Sequence, residues 1–345
     1  MFPRIMASLR GIAGNADFAL DLGTANTRLF VLGRGLIADQ PSVLSSQGGS
    51  LSRHEHRAIG RHRNGHFLKN ETEWPLRSGV IADFNAAVAM LRPLILRTRR
   101  FGIIPAKALV CAPTDATQVE REMLCGAVYR AGADCAGVVP EPVAAALGAG
   151  LKIDSPPAQM IVDIGEGVTD IAVIRSGNIV ASGAVRRGCG DFHATLRQMV
   201  LTHHGILLYR SEVERLTWAL GSPPTLVPST NAGAVGVDPI TGEEATVHVG
   251  SHEVARAIQP VLDLISKRIQ RLLRELEDPV ACEVFEGGMR LTGGGACLQG
   301  ITDYMAETTG LTVKKVADPM HSVIDGAAQM LERGFRTDYW PQPGA

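Results

Sequence analysis

Three things are scarce in this sequence, and each scarcity removes a class of function. Charge of one sign is missing: 34 Lys and Arg against 35 Asp and Glu leave a net charge of −1, so nothing draws the chain electrostatically to a nucleic-acid backbone. Long apolar runs are missing too. No stretch of about eighteen apolar residues occurs, so no segment is expected to cross a membrane. Close cysteine pairs are also absent, since the six cysteines stand at 111, 125, 135, 189, 282 and 297; that pattern reads as reduced thiols of a cytosolic protein. What is present, 345 residues of which 45% are apolar and 20% charged, suffices for two domains with substantial cores.

The densest pattern is Met160 to Ala181. Met160, Ile161 and Val162 run into Asp163, Gly165 and Gly167 bracket a turn, Thr169 follows, and Ile171, Val173 and Ile174 resume as β-branched strand. Gly177-Asn178 then reads as a hairpin turn. The same plan appears near the N-terminus: Phe18 to Leu20 lead into Asp21, Gly23 opens a turn filled by Thr24, Ala25, Asn26 and Thr27, and Leu29 to Val31 return. Asp21 and Asp163 are 163 − 21 = 142 residues apart, about one domain length, which predicts an internal duplication.

A glycine-rich turn between strands leaves backbone N–H groups pointing one way with no side chain before them, a nest for phosphate oxygens. An Asp at the adjoining strand end suits a hydrated Mg²⁺, which keeps most of its waters and takes one or two carboxylates plus phosphate. Either turn alone is equally an ordinary hairpin whose glycines supply positive φ. The pair, joined by a third cluster in Leu291 to Gly300 (Gly293, Gly294, Gly295 and Ala296), predicts two turns clamping one triphosphate, with the bare third backbone approaching a sugar or ring.

The ordered motifs DLGTANT, EPVAAALGAG, DIGEGVTDIAV and LTGGGACLQGI, with GVIADF at Gly79 to Phe84, resemble the actin-like ATPase superfamily and within it the bacterial MreB group. The likeness runs nearly end to end. It implies an α/β fold of duplicated actin-like (ribonuclease H-like) domains, each split into a core and a small subdomain, with a nucleotide cleft between them. The implied halves are residues 1–150 with a small subdomain at about 40–78 and a returning C-terminal helix at 318–345, and residues 151–317 with a small subdomain at about 192–250. ATP and Mg²⁺ are the implied cofactors. The implied partners are further copies in a head-to-tail filament, the inner membrane face, and cell-wall or morphogenesis proteins. By the same resemblance Glu141 orients the attacking water and Thr169 stands where a helping hydroxyl is found.

Elsewhere the chain punctuates itself. Phe2, Ile5, Leu9 and Ile12 recur at helical spacing with Arg4 and Arg10 between them, a short basic amphipathic segment within residues 1–13; its interrupted apolar positions do not make a secretory signal. His54, His56, His62 and His66 lie among Arg53, Arg57, Arg61 and Arg63, and with no carboxylate or thiol set to complete a shell they read as basic subdomain surface rather than a metal site. Asp83 caps a predicted helix to Arg97 in which Pro93 would introduce a kink. Lys107 to Ala112 is a predicted strand, and Thr117 with Glu120 forms a capping box. Pro140-Glu141-Pro142 stops one strand and opens an alanine-rich helix, so Glu141 is either dipole compensation or a carboxylate aimed at the triphosphate. Further helices are expected at Ser211 to Leu220, His252 to Glu277 and Asp318 to Arg333, with a hairpin at Ala234 to Val249 around Asp238 to Gly242, and Thr337 to Ala345 reads as a loose end.

Two departures from the MreB pattern matter. The second turn carries Gly165-Glu166-Gly167 where three glycines are usual, and Val168-Thr169 where paired threonines are usual. A carboxylate about 5 Å from a phosphate at an effective dielectric near 20 costs roughly 3 kcal/mol per charge pair. In the helix used for ribose and base contacts, Glu214 is kept, but Thr217 and Ala219 replace a lysine and an acid. Three function classes follow: a nucleotide-switched filament protein or, with hydrolysis weakened, a membrane scaffold; a sugar-kinase-like enzyme, for which no insertion supplies an acceptor pocket; and a chaperone-like ATPase, which has a substrate domain after its ATPase core. The MreB-like motifs favour the first.

Overall fold

A computed structural model describes residues 17–45, 72–98, 106–223 and 229–333. The amphipathic start, the histidine cluster and the C-terminal end lie outside these described residues.

Two five-stranded sheets form the frame, and they repeat one plan. In the first, β1 (Phe18–Leu22), β2 (Asn26–Val31) and β3 (Gly35–Pro41) make an antiparallel meander. The short pairs β4 (Leu44–Ser45) with β5 (Thr72–Glu73) and β6 (Leu76–Arg77) with β7 (Val80–Ile81) follow it. Then β8 (Lys107–Ala112) and β9 (Asp134–Pro140) add in parallel, giving the order β3-β2-β1-β8-β9. The second sheet begins with β10 (Gln159–Ile164), β11 (Thr169–Arg175) and β12 (Asn178–Val185) as the same meander. A small antiparallel sheet of β13 (Leu207–Leu208), β14 (Asn231–Val237) and β15 (Glu244–Gly250) is inserted next. Finally β16 (Met289–Thr292) and β17 (Val313–Lys315) add in parallel, for the order β12-β11-β10-β16-β17. The predicted duplication is therefore one of topology as well as sequence. Central strands β1 and β10 are buried along their length, Gln159 excepted, because both faces are covered.

Nine helices are described, and their ends follow local chemistry. Helix α1 (Phe84–Leu96) starts where Asp83 accepts the Ala86 N–H at 2.9 Å and runs unbroken through Pro93. Helix α2 (Gln118–Ala131) carries the predicted Thr117–Glu120 capping box and ends at left-handed Gly132. Helix α3 (Glu141–Gly148) opens after Pro140 with Pro142 in its first turn. In the second half come α4 (Cys189–His204), α5 (Arg210–Leu220), α6 (Ser251–Glu275), α7 (Asp278–Gly287) and α8 (Ile301–Thr309), and α9 (Ser322–Arg333) then returns to pack on α3. Helix α6 buries the expected stripe of Val254, Ile258, Val261, Ile265, Ile269 and Leu272.

Three local expectations shift. The β11–β12 hairpin turns on Ser176-Gly177, not Gly177-Asn178: both residues have positive φ (49° and 76°), and Asn178 already pairs with Arg175. A two-residue turn of this hand needs two left-handed residues, and glycine takes the second place. Helix α9 begins at Ser322 rather than Asp318, because the Pro319 carbonyl is already taken by the Gly293 N–H and the Thr292 hydroxyl. Cys125 and Cys135, expected as reduced thiols, are disulfide-bonded: the reversal at Gly132 returns the chain from α2 into β9 and brings their Cα atoms to 5.4 Å.

The halves are tied by a shared core built around one helix crossing and by polar contacts nearer the cleft. Helices α3 and α9 cross with their backbones touching: a Cβ on Gly326 would strike the Ala144 carbonyl, and one on Gly148 the Ser322 carbonyl. Around this crossing lies a core drawn from both sheets, including Ala19, Leu109, Ile161, Ala172, Ala327 and Met330. Nearer the cleft, Asp170 of β11 accepts the Thr114 N–H at 2.8 Å and its hydroxyl at 2.5 Å, and Arg186 pairs with Asp115 at 2.9 Å and Glu120 at 3.1 Å.

Gly326→Val should destabilise the chain by about 3 kcal/mol, because two backbones rather than a flexible side chain must move apart. A denaturant midpoint equal to wild type would show that the crossing is not tight in solution. Burial raises the Asp170 carboxyl from its ordinary value to about 6 despite its hydrogen bonds. The folded chain then holds this proton more firmly than the unfolded one, so the stability linked to it is present below about pH 4 and is lost as pH rises through about 6, by about 3 kcal/mol. Asp170→Asn keeps an acceptor oxygen for Thr114 and should flatten that fall in pH-dependent melts. A profile parallel to wild type would assign the pH dependence elsewhere.

Candidate functional site

The two duplicated turns close with the same hydrogen bond: Gly23 N–H donates to the Asn26 carbonyl at 3.1 Å, and Gly165 N–H to the Val168 carbonyl at 2.9 Å. They face each other. Thr24 accepts the Gly79 N–H at 2.9 Å, and a Cβ on Gly167 would lie 2.8 Å from the Thr24 hydroxyl and 2.9 Å from Ser78 Cα. Behind them the N-terminus of α4 satisfies the second turn, as Cys189 and Gly190 donate to the carbonyls of Gly165 and Glu166 at 2.9 Å each. The third cluster enters through Gly293, whose φ of 79° and contact with the Asp163 carboxylate leave no room for a Cβ.

These elements enclose a cavity of about 520 Å³, within the usual range for a cofactor site. From the first half it is lined by Asp21, Gly23, Thr24, Ala25, Asn26 and Glu141. From the second come Asp163, Gly165, Glu166, Gly167 and Glu214, with Gly293 and Gly294 below them. Four residues expected here stand outside the lining. Thr169 is fully buried and its hydroxyl donates to the Arg187 carbonyl at 2.9 Å. Thr217 is likewise buried, its hydroxyl bonded to the Val213 carbonyl of its own helix at 2.9 Å. Gly295 and Ala296 turn inward as part of a 3₁₀ turn.

The electrostatics are dominated by acids taken out of water. Burial first, then the neighbouring Asp170 and Asp21 carboxylates, push Asp163 up to about 7. Burial, then Asp170, Asp21 and Asp163, raise Glu141 well above the carboxylate range. Burial raises Asp21 as well, although Arg28 opposes it. Hard oxygen donors whose charges repel one another are what a hydrated Mg²⁺ suits, and neither Asp163 nor Glu141 has an arginine against it among the described ion pairs. Asp21 has one: Arg28 lies opposite it across the strand pair and opposite Asp39 on the other side, with N–O distances of 3.2 and 3.4 Å. His321 reaches Asp39 at 3.4 Å. In the duplicated hairpin the cross-strand partner of Asp163 is Asp170, so Arg28 and Asp170 occupy the same station with opposite charge.

Sequence reasoning missed Arg28, His193, Arg210 and Trp218, all of which line the cavity. Arg210 opens α5 one turn before Glu214 and pairs with it at 3.0 Å, a spacing that was legible. His193 has both ring nitrogens buried without a hydrogen-bond partner and meets Trp218 edge-on, centroids 5.9 Å apart. Glu166 turns toward this group, with Oε1 3.6 Å from Arg210 Nη2 and 3.8 Å from His193 Nδ1. No helix among the described residues is long and apolar enough to cross a membrane, and none of their His, Cys, Asp and Glu side chains form a metal cluster of three or more.

Comparison with known proteins agrees with this geometry. The family model for MreB/Mbl protein matches residues 15–337. The cell shape-determining protein MreB of Escherichia coli (strain K12) is 32% identical over 335 residues, covering 95% of this chain and 96% of that one. The cell shape-determining protein Mbl of Bacillus subtilis (strain 168) is 30% identical over 325 residues, covering 92% and 96%. Among solved structures, MreB5 of Spiroplasma citri bound to ADP superposes with a TM-score of 0.82 at 27% identity, over 92% of this chain and 96% of that one. The MamK double helical filament, at 19% identity and a TM-score of 0.72, shares the fold. Matched along nearly its whole length by the family model and by relatives at 30% identity or more, this actin-like chain belongs to the MreB/Mbl family.

Proposed function

We propose that this protein binds ATP with Mg²⁺ between its two halves and polymerises head to tail into filaments on the inner membrane face, where they organise cell shape or cell-wall synthesis. One observation carries the reading: two glycine turns closed by the same hydrogen bond oppose each other across a cavity with buried carboxylates at its floor. The solved structures of MreB5 bound to ADP and to AMPPNP support nucleotide in this cavity. The halves are taken as residues 1–150 with 318–345, and 151–317.

In this reading the backbone N–H groups of Gly23 to Asn26 and of Gly165 to Gly167 hold the phosphates. Asp163 and the free side of Asp21 hold the hydrated Mg²⁺, which neutralises charge on the phosphates when bound. Glu141, at the start of α3, orients the attacking water. Glu214 faces the ribose, and the Gly293-Gly294 backbone admits the base. Positioning is most of what phosphoryl transfer asks of a protein. A second reading, a nucleotide-binding membrane scaffold with slow hydrolysis, is favoured by Thr169, whose hydroxyl is committed to the Arg187 carbonyl, and by Thr217, which replaces a cation.

Gly167→Val should abolish ATP binding, since its side chain would collide with Thr24 and Ser78, whereas Glu141→Gln should keep affinity within a few-fold and slow phosphate release at least tenfold. Wild-type turnover in the glutamine variant would leave Glu141 as a helix-end charge. The assembly is tested by sedimentation and negative-stain imaging with ATP, ADP or no nucleotide, with and without anionic vesicles. Filaments should need ATP, and deleting residues 1–13 should release them from vesicles without dissolving them, because many weak anchors act together along a filament. Undiminished vesicle binding by the truncated chain would place the anchor elsewhere.

A further inference from the structure

Glu166 is a carboxylate in the middle of a turn whose neighbours must present N–H groups to phosphate. Only 17% of its side chain is exposed, so solvent does little to screen it. The structure surrounds it with cationic and donor groups instead. Arg210 Nη2 stands 3.6 Å from Oε1, and His193 Nδ1 stands 3.8 Å away on another helix. Arg210 is itself held from two further directions. Its Nε donates to Glu214 at 3.0 Å, and its guanidinium lies over the Trp74 ring, 4.1 Å from the centroid. Trp74 precedes β6 in the first half, whereas Arg210, Glu166 and Glu214 belong to the second. One guanidinium thus joins a phosphate turn, a nucleoside-facing helix and an aromatic platform across the cleft.

Resting on the nucleotide reading of this cavity, we propose that Arg210 is the positioning residue that allows a phosphate turn containing a glutamate to accept a nucleotide. It draws the Glu166 carboxylate toward α5 and cancels its charge, and it is aligned for this by the Trp74 ring of the opposite half. A flat, permanently charged guanidinium stacks on an aromatic face while its edge serves a carboxylate, which an ammonium does less well. Without that cation, a carboxylate about 5 Å from a phosphate opposes binding by up to about a hundredfold. Because Trp74 comes from the other half, opening the cleft removes the platform that holds Arg210. Cleft closure and phosphate affinity are then linked through this contact, each favouring the other.

The test is a double-mutant cycle on the full chain, reading MgATP affinity by calorimetric titration. Arg210→Ala should weaken binding ten- to a hundredfold, while Glu166→Gly should tighten it two- to fivefold. In the Glu166→Gly background, Arg210→Ala should cost less than threefold, because no carboxylate remains to be controlled. Trp74→Ala should reproduce three- to tenfold of the loss only when Glu166 is present, and Trp74→Phe should restore it. Arg210→Lys, which keeps the charge without the stacking plane, should fall between wild type and alanine and provides a milder variant should alanine fail to fold. Equal losses in both backgrounds would mean that Arg210 touches the nucleotide directly, and no loss in either would make the pair an idle ion pair; each overturns the inference. A wild-type chain with no measurable MgATP affinity would instead sink the nucleotide reading beneath it, a result distinct from a chain that binds but shows no coupling.

Discussion

The geometry of the cavity depends on how closely helices α3 and α9 approach. Their crossing has no side chain between the backbones, because Gly148 and Gly326 sit where any Cβ would meet a carbonyl of the opposite helix. Helix α3 carries Glu141 at the end that faces the cavity, and the turn leading into α9 supplies Pro319, Met320 and His321 to the cavity lining. Pro319 in turn holds the Gly293 N–H and the Thr292 hydroxyl. Contacts from the first half's helix to the second half's third glycine cluster thus pass through one crossing of small residues. Interiors packed at this density transmit a displacement rather than absorb it.

Much of this was legible because it is local. Asp21 and Asp163 each precede a glycine turn and a returning strand, so both hairpins and their equivalence could be read within ten residues. The capping box of Thr117 and Glu120 and the Pro140-Glu141-Pro142 boundary are likewise local chemistry. What escaped requires knowing which strands and helices become neighbours. Arg28 looks like an ordinary polar residue in an exposed hairpin until β3 places Asp39 beside it. Cys125 and Cys135 meet because Gly132 reverses the chain between them. Thr169 was assigned through resemblance, and the Arg187 carbonyl that claims its hydroxyl is eighteen residues downstream. Arg210 shows its spacing to Glu214 in sequence, but its partner Trp74 lies in the other half.

The cavity handles its charges in two different ways. On the floor, Asp163 and Glu141 make no ion pair with an arginine among the described residues, and burial raises their proton affinities, a state that an incoming cation relieves. At the walls, Asp21 and Glu166 each have an arginine within 4 Å. The glutamate that departs from the usual glycines of the second turn has a guanidinium 3.6 Å from it. A glutamate in a phosphate turn is tolerable beside a fixed guanidinium and would be costly without it.

The register of the duplicated hairpins gives one more result. Arg28 and Asp170 hold the same station, each directly across from the aspartate one residue before the end of the first strand. Arg28 lines the cavity, while Asp170 binds Thr114 and fastens the halves together. A repeated unit whose copies contribute different parts to one shared cleft need not keep both copies of a position in the same job. Here one copy places a charge at the cavity and the other fastens the halves together. That division of labour gives the molecule a built-in polarity: its two sides are alike in backbone and unlike in charge, so any asymmetric ligand entering the cavity would meet a preferred orientation.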